Sequence, residues 1–398
     1  MLNRQQEKVC QAAVNWYKNS SAQVFEFEGG AGTGKTYTIM EILRRLNLSS
    51  GEFLAMAYTG QASIVMRTRG FKNARSIHSS LYEIVEIEDD TAVNLAFGIK
   101  KKKFDFRLRT MIDPNIRLFF IDEAWMVPKW MVKDILSFGI KVICCGDSQQ
   151  LPPIGDEPGF LTGYGVHRLT ELMRQSESNP IVYLANRAIK GLPIHNGTYG
   201  NVLVIDEDDF HPNYIPYADT IICGTNKTRD TMNRYVRQLA GFYSTTPNIG
   251  ERIICRQNNW DIVSEDGIAL CNGLSGVVAS QLEVDRFNGQ TFTIHFKPDL
   301  VDSVFFNIQV NYEYFVAPYD ERQRLKDKIS RYSQGEIFEF AYAISCWLAQ
   351  GSEYNNGIYI EEFMRPQIQK QLNYTGITRF KNSLIYIKKK NKYFTIRR

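Results

Sequence analysis

The sequence has few of the features that mark secreted, metal-binding or membrane proteins. Its seven cysteines include no C-x-x-C pair, and Cys144 and Cys145 lie side by side in an apolar run. This pattern predicts neither a zinc site nor a disulfide framework. The N-terminal residues MLNRQQEKVC contain no apolar segment, and no run approaches the roughly 18 apolar residues of a membrane span. We therefore expect a soluble, cytoplasmic protein that does not interact with membranes.

The charge of the chain is nearly balanced. Its 398 residues carry 47 basic and 43 acidic side chains, a net charge of +4, so a nucleic-acid partner cannot be inferred from charge alone. Basic residues are concentrated in a lysine run at 100–103 and in the tail from Lys388, although such runs are more often solvated surface than binding sites. The hydrophobic content of 44% is that of a folded protein, and the length predicts two or three domains.

Strand-like and helix-like segments alternate over the first 150 residues. A strand is predicted at 23–28, and a helix follows it after a glycine-rich break. Two further apolar runs, at 118–121 and 142–145, are closely followed by acidic residues. This arrangement is typical of buried parallel strands whose carboxyl ends form a site. The charged stretch at 82–115 is interpreted as an excursion from the sheet.

The rest of the chain also alternates between the two kinds of segment, with a strand predicted at 220–224 and a helix at 228–242. Between about 276 and 335, alternating patterns in TFTIHF and NYEYFVA predict a small β module. Core strands are predicted again in FEFAYAIS and NSLIYI. The module is therefore interpreted as an insertion into a second α/β domain.

A glycine-rich segment after the first strand matches G-x-x-x-x-G-K-[ST], the phosphate-binding pattern of P-loop proteins. Its backbone N–H groups and the following helix N-terminus attract phosphate. The lysine is placed to reach the β and γ phosphates, and the last hydroxyl is placed to ligate Mg²⁺. The pattern predicts ATP and Mg²⁺ as cofactors. Its residues are Gly29, Gly30, Ala31, Gly32, Thr33, Gly34, Lys35 and Thr36.

Two later segments supply the other groups that ATP hydrolysis needs. The apolar run FFI ends in Asp122 and Glu123, so Asp122 is expected to hold Mg²⁺ and Glu123 to activate the attacking water as general base. The next strand is followed by GDSQQLPP, in which Gln150 is placed to contact the γ-phosphate. Its two prolines predict a rigid turn.

Taken in chain order, these elements resemble superfamily 1 helicases of the B type, the branch that includes RecD and the phage helicase Dda. The similarity extends over nearly the whole chain. Apart from the P-loop and Asp122–Glu123–Ala124, it rests on segments similar to the N-terminal glutamine motif and to motifs Ia, Ib, III, IV, V and VI. In that order the segments are Leu2–Gln6, Thr59–Ser63, Ser76–Ser79, Gly146–Pro153, Leu169–Gln175, Gln350–Glu353 and Tyr374–Arg379.

The resemblance implies an α/β fold with two RecA-like P-loop domains built on parallel sheets. It also implies a small insertion in the first domain and a small β-barrel-like insertion in the second. The first insertion is a candidate strand-separating pin, and the wedge residue stays open among Phe97, Phe104 and Phe106. The expected boundaries are 1–155 for the first domain with its insertion at about 84–115, 156–275 and 336–398 for the second, and 276–335 for the inserted module.

The resemblance also assigns roles to single residues. Arg174 and Arg379 would reach the nucleotide from the second domain when the cleft closes, and Gln6 would read the adenine. Gly351 and Glu353 would complete the nucleotide site. The residues expected to contact single-stranded DNA are Thr59, His78 and Trp347.

One segment departs from the family pattern. Motif V usually has His-Lys-Ser or His-Lys-Ala before Gln-Gly, whereas this chain has Trp347-Leu348-Ala349. We hypothesise that Trp347 stacks on a base in place of part of the missing phosphate contact. Packing of Trp347 in the core is an equally good interpretation.

The leading functional hypothesis is an ATP-dependent helicase that moves on single-stranded DNA and unwinds duplex junctions. The resemblance suggests 5′-to-3′ travel, and it suggests replication or recombination proteins as partners. A monomer is expected, since one chain supplies both halves of the cleft. Two alternatives stay open because a P-loop fold does not specify function: a protein-remodelling ATPase switch, and a helicase-like subunit of a larger complex.

Overall fold

The fold is described from a computed structural model. The structure describes residues 2–88, 102–163, 165–173, 178–281, 290–326, 329 and 335–390. Several features named above lie outside these ranges: Arg174, Phe97, the centre of the predicted pin, and the end of the basic tail.

The helices and strands of the described residues alternate along most of the chain. The strands are β1 (Val24–Gly29), β2 (Phe53–Ala57), β3 (Arg75–Ser76), β4 (Tyr82–Glu88), β5 (Lys102–Leu108), β6 (Leu118–Asp122), β7 (Lys141–Gly146), β8 (His167–Leu169), β9 (Gly197–Tyr199), β10 (Val202–Asp206), β11 (Thr220–Cys223), β12 (Arg252–Cys255), β13 (Asn259–Val263), β14 (Ala269–Leu270), β15 (Ser275–Gln281), β16 (Thr291–Pro298), β17 (Phe305–Asn311), β18 (Phe338–Phe340), β19 (Ala343–Ser345), β20 (Tyr354–Ile360) and β21 (Phe380–Lys388). The α-helices are α1 (Arg4–Asn19), α2 (Lys35–Leu46), α3 (Gly60–Thr68), α4 (Ile77–Leu81), α5 (Lys129–Ser137), α6 (Pro180–Lys190), α7 (Asn226–Leu239), α8 (Tyr312–Val316), α9 (Tyr319–Lys326), α10 (Cys346–Ala349) and α11 (Pro366–Ile377).

The first sheet has six parallel strands in the order β3-β2-β6-β7-β1-β8. Its strands β6 and β7 are mostly apolar because helices cover both faces of the sheet, whereas β1 carries Glu26 and Glu28 on one face. Helix α1 begins with a capping box, in which Asn3 and Gln6 satisfy each other's backbone N–H groups. The P-loop follows β1, and Asp122 and Glu123 lie at the end of β6, so these residues share the carboxyl edge of this sheet, as the sequence predicts.

The second sheet has the order β19-β11-β20-β21-β10-β9 and is parallel except for β9. It contains the predicted strand at 220–224 as β11, and the predicted helix at 228–242 is α7. Two sheets of this kind in one chain confirm the predicted α/β class with RecA-like parallel sheets.

A separate antiparallel sheet has the order β17-β16-β15-β12-β18. Its buried face packs against Ile64 of α3, so this module also contacts the half of the chain that carries the P-loop. The sheet takes β12 and β18 from outside the predicted range 276–335, and β8 joins the first sheet although it lies beyond residue 155. The division of the chain into domains stays a prediction.

One local prediction in this module is wrong. The alternating segment NYEYFVA forms helix α8 rather than a strand. The Asn311 side chain accepts a hydrogen bond from the Tyr314 backbone N–H (2.8 Å) and so caps a helix. The helix buries Tyr314 and Phe315, and the Tyr314 hydroxyl donates to Glu339 (2.7 Å). Tertiary packing thus outweighs the alternating pattern.

Strands β4 and β5 form an antiparallel hairpin at the base of the predicted pin. Phe106 on this hairpin is 39% exposed, and its ring lies 5.3 Å from that of Trp260 on β13. Of the three aromatic wedge candidates, Phe106 is the one whose side chain the structure describes.

Candidate nucleotide site

The P-loop joins β1 to α2. Gly32 and Gly34 have φ values of 79° and 80°, a backbone region that favours glycine. A Cβ atom on Gly34 would lie 2.4 Å from Nε2 of Gln6, so a larger residue there would displace the end of that side chain. The Lys35 ammonium group donates to the carbonyl oxygens of Gly29 (2.7 Å) and Gly30 (3.3 Å). It therefore lies within the loop that is predicted to hold the phosphates.

Asp122 and Glu123 follow at the carboxyl end of β6, the strand two places from β1. Oδ1 of Asp122 accepts from the Glu123 N–H (2.9 Å) and from the Cys145 thiol (3.2 Å), and these bonds fix the carboxylate. Glu123 has a φ of 50°, a strained value for a side chain of this kind. Burial raises the pKa of Glu123, while the positive charge of Arg379 acts in the opposite direction. A carboxyl group with a raised pKa is better suited to accept a proton.

The segment Asp147–Leu151 is bonded to the second half of the chain by four side chains. The Tyr374 hydroxyl donates to Oδ2 of Asp147 (2.6 Å) and accepts from the Ala31 N–H (3.1 Å). The Leu151 N–H donates to Thr375 Oγ1 (2.9 Å), and Gln371 and Gln350 donate to the carbonyl oxygens of residues 150 and 151 (3.1 and 2.8 Å). The sequence does not predict these contacts, because hydroxyl and amide side chains carry no signal of their partners.

Gln150 is buried, with 4% of its surface exposed. Its side-chain oxygen has no hydrogen-bond partner among the described residues. A buried polar atom without a partner is costly, so it marks a position where a ligand or water can be bound.

Arg379 lies just after α11 and is also buried. Its guanidinium donates to the carbonyl oxygens of Thr375 (3.2 Å) and Ser352 (3.3 Å), and to the Thr378 hydroxyl (3.3 Å). These acceptors all belong to the second half of the chain, so they hold the arginine at the cleft without help from the P-loop side.

A cleft of about 750 Å³ lies between the P-loop and the segments that carry Arg379 and Glu353. It brings together most of the predicted nucleotide and metal residues. Those lining it are Gly30, Ala31, Gly32, Gly34, Lys35, Thr36, Asp122, Glu123, Gln150, Gly351, Glu353 and Arg379. Gln6 and Thr33 do not line it: Gln6 is fully buried, and its amide bonds to the Asn3 N–H and to the Thr33 carbonyl oxygen.

Arg69, at the C-terminal end of α3, lines the same cleft and was not singled out by the sequence. It forms an ion pair with Glu353 (2.6 Å), which also pairs with Lys381 (2.6 Å). Burial alone would raise the pKa of Glu353, but Arg69 and Lys381 lower it to about 2. The same Arg69 guanidinium donates to the Thr36 hydroxyl (3.3 Å).

Thr36 and Asp122 offer the oxygen ligands that Mg²⁺ prefers, and both line the cleft. Among the described residues there is no group of three or more His, Cys, Asp or Glu side chains that could hold a metal ion. Mg²⁺ commonly takes one or two protein ligands together with substrate phosphates. The pair therefore fits a metal ion that arrives with a nucleotide.

The residues predicted to contact DNA have mixed surroundings. Thr59 caps α3 by accepting a hydrogen bond from the Ala62 N–H (3.1 Å). Its hydroxyl lies close to Gly351, since a Cβ atom added to that glycine would be 3.4 Å from the hydroxyl oxygen. His78 is packed among aromatic rings, with Tyr82 at 5.5 Å and Phe106 at 5.9 Å, and burial lowers its pKa. Trp347 is partly buried and packs against the core of the second sheet. That contact favours packing, and its DNA role stays a prediction.

No helix among the described residues is both long and apolar enough to span a bilayer.

Comparison with known proteins gives three results. Residues 1–192 match the family described as AAA domain. An uncharacterized protein of Acanthamoeba polyphaga mimivirus, R530, is 26% identical over 195 residues, which cover 44% of this chain and 39% of that protein. The chain thus spans well under half of the length of that curated relative.

Among solved structures, Pif1 helicase from Bacteroides in complex with ADP-AlF3 and single-stranded DNA has a TM-score of 0.55 and 16% identity. The match covers 100% of this chain and 93% of that one. Pif1 helicase from Candida albicans has a TM-score of 0.53 at 16% identity, with 97% and 94% covered. The first half of this chain thus matches the AAA domain, and the whole chain shares the fold of these helicase structures.

Proposed function

We propose that the protein is an ATP-dependent helicase that hydrolyses ATP with Mg²⁺ to move on single-stranded DNA and unwind duplex junctions, travelling 5′-to-3′. One observation carries the proposal. A single cleft has Lys35, Thr36, Asp122 and Glu123 on one side and Arg379 on the other. The relatives of the same fold include Pif1 proteins bound to single-stranded DNA and to ADP-AlF3.

In this proposal the hydrolysis step uses groups from both halves of the chain. Lys35 neutralises the β and γ phosphates, and Thr36 and Asp122 hold Mg²⁺, which offsets phosphate charge when it is bound. Glu123 takes a proton from the attacking water, whose oxygen bonds to the γ-phosphorus as the bond to the ADP oxygen breaks. Gln150 orients that water. Arg379 stabilises the charge on the transferred group; Arg174 is proposed for the same task on the family resemblance alone.

Hydrolysis can drive domain motion because the γ-phosphate lies where the two halves meet. The hydrogen bonds from Tyr374 and Thr375 join the loop after β7 to the helix that precedes Arg379. Loss of the γ-phosphate would remove a ligand shared by the two halves and so weaken their contact. Thr59, a proposed DNA contact, borders Gly351 across the same junction.

The proposed unwinding element is the β4–β5 hairpin. Phe106 on this hairpin lies beside Trp260, and aromatic rings at a duplex junction can stack on the separated bases. We propose Phe106 as the wedge because it is exposed on the described part of the hairpin.

The test is steady-state ATP hydrolysis with no nucleic acid, with single-stranded DNA, with RNA and with duplex, at one fixed low salt concentration because binding is salt-dependent. Stimulation of about tenfold or more by single-stranded DNA, which is about 1.4 kcal/mol or more in activation free energy, supports the proposal. Lys35→Ala protein is the control for contaminating ATPase. Hydrolysis that no nucleic acid stimulates would instead favour a remodelling switch or a partner-dependent subunit. Unwinding of substrates with 5′ and 3′ overhangs then tests the direction.

A further inference from the structure

Arg69 contacts both sides of the nucleotide cleft. Its Nη2 atom lies 2.6 Å from Oε1 of Glu353, and its Nη1 atom donates to the Thr36 hydroxyl at 3.3 Å. Thr36 belongs to the P-loop, and Glu353 follows the second-sheet strand β19 and helix α10. One guanidinium therefore joins the two halves of the chain at the mouth of the cleft. The resemblance to known motifs assigns no role to this residue, which lies beyond the motif Ia segment.

The contact with Thr36 cannot stay unchanged when a metal-bound nucleotide enters. The Thr36 hydroxyl is the proposed Mg²⁺ ligand, so a metal ion there would face a guanidinium only a few ångströms away. Two cations at that distance repel each other unless an anion lies between them. The γ-phosphate is the anion that a triphosphate adds at this position and a diphosphate lacks.

Arg69 is built to exchange one partner while keeping the other. A guanidinium has several N–H donors in a planar fork, so one edge can hold a carboxylate while another contacts a phosphate oxygen. Glu353 is itself held by Lys381 at 2.6 Å, which fixes the carboxylate that orients Arg69. The side chain of Arg69 is 31% exposed, so it borders the solvent of the cleft rather than the core.

We propose that Arg69 binds the γ-phosphate and discriminates triphosphate from diphosphate, with Glu353 and Lys381 holding it in place. In the structure Arg69 joins Thr36 to Glu353. When ATP and Mg²⁺ bind, Arg69 leaves Thr36, keeps Glu353 and contacts the γ-phosphate. This inference rests on the proposed ATPase function and adds to it a residue that reads the nucleotide state.

The experiment compares equilibrium dissociation constants for a non-hydrolysable β,γ-imido ATP analogue and for ADP, both with Mg²⁺, in the full chain. We expect Arg69→Ala to weaken binding of the analogue by about tenfold or more and of ADP by less than about threefold, since one charge-assisted contact is lost with the triphosphate alone. Arg44→Ala is the matched control, because it removes the same charge from α2 at a side chain that is 72% exposed and paired with Glu41. It should change neither constant.

Arg69→Lys gives a second measurement if the alanine variant does not fold. A lysine keeps the charge but has a compact head that does not reproduce the fork, so Arg69→Lys should weaken binding of the analogue more than binding of ADP, relative to the unaltered protein. Equal weakening for both nucleotides, or no change for either, would overturn the inference. Failure of the unaltered protein to bind either nucleotide would overturn the proposed function itself, and the two failures are therefore distinguishable.

Discussion

Removal of one hydroxyl group should loosen the junction between the two halves of the chain. Tyr374→Phe deletes the oxygen that donates to Asp147 at 2.6 Å and accepts from the Ala31 N–H at 3.1 Å. Tyr374 is buried, and the ring can stay in place, so the change is confined to hydrogen bonding. In the variant, Asp147 keeps the hydrogen bond from the Gln149 N–H at 3.1 Å. It loses the Tyr374 hydroxyl, which among the described residues is its one donor from the second half of the chain.

The size of the effect follows from the charge and burial of Asp147. A hydrogen bond to a charged group contributes about 1.5–3 kcal/mol, and a buried carboxylate cannot recover the lost bond from bulk water. Burial already raises the pKa of Asp147, and the Tyr374 hydroxyl opposes that shift. We therefore expect a loss of about 1.5–3 kcal/mol in the free energy of unfolding, which is about 10- to 150-fold in the equilibrium constant.

The assay is urea unfolding followed by tryptophan emission. Trp125 reports on the affected loop, because its indole N–H donates to the Gln150 carbonyl oxygen (3.0 Å). Tyr183→Phe is the matched control: its hydroxyl is on the surface and accepts from Arg187 within the same helix, so its loss should cost less than about 0.5 kcal/mol. If Tyr374→Phe is no less stable than Tyr183→Phe, the hydroxyl does not join the two halves and this reasoning is refuted.

Four further outcomes follow from the site. Glu123→Gln should bind ATP but not hydrolyse it. Because a general base must be ionised, hydrolysis by the unaltered protein should fall as the pH drops through the pKa of Glu123, which is raised above the usual 4.5. A pH–rate profile with its acid limb at or below 4.5 would argue against this role. Arg379→Ala should keep nucleotide binding but lose about 10³-fold or more in turnover, and normal turnover would show that the cleft is wrongly assigned. Glu353→Gln should be less stable than the unaltered protein at neutral pH. Because the pKa of the Glu353 carboxyl group is lowered to about 2 in the folded protein, this difference in stability should disappear as the pH falls from about 4.5 toward 2. An undiminished difference at pH 2 would contradict the ion pair. Trp347→Ala should weaken DNA binding with little change in its salt dependence if the ring stacks on a base, and unchanged affinity in a folded variant would leave packing as its role.

Some parts of the structure could be predicted because their signals are local. The P-loop needs glycine at positions with positive φ, and the strand before it places Phe25 and Phe27 in the core. Such requirements appear directly in the order of residues. The segment NYEYFVA shows the limit of this approach: its alternating pattern predicts a strand, but the Asn311 cap and the burial of Phe315 make it a helix.

The sequence by itself determined the α/β class, the glycine-rich loop and the two carboxylates at the end of a strand, because each depends on residues close together in the chain. Only the tertiary structure decided which distant side chains meet at the cleft. Tyr374 bonds to Asp147, 227 positions away, and Arg69 pairs with Glu353. Such contacts depend on how two sheets pack, and a lone tyrosine or arginine in a sequence gives no indication of its partner. The residues of the cleft are therefore far apart in the sequence, and the packing of the two sheets brings them together.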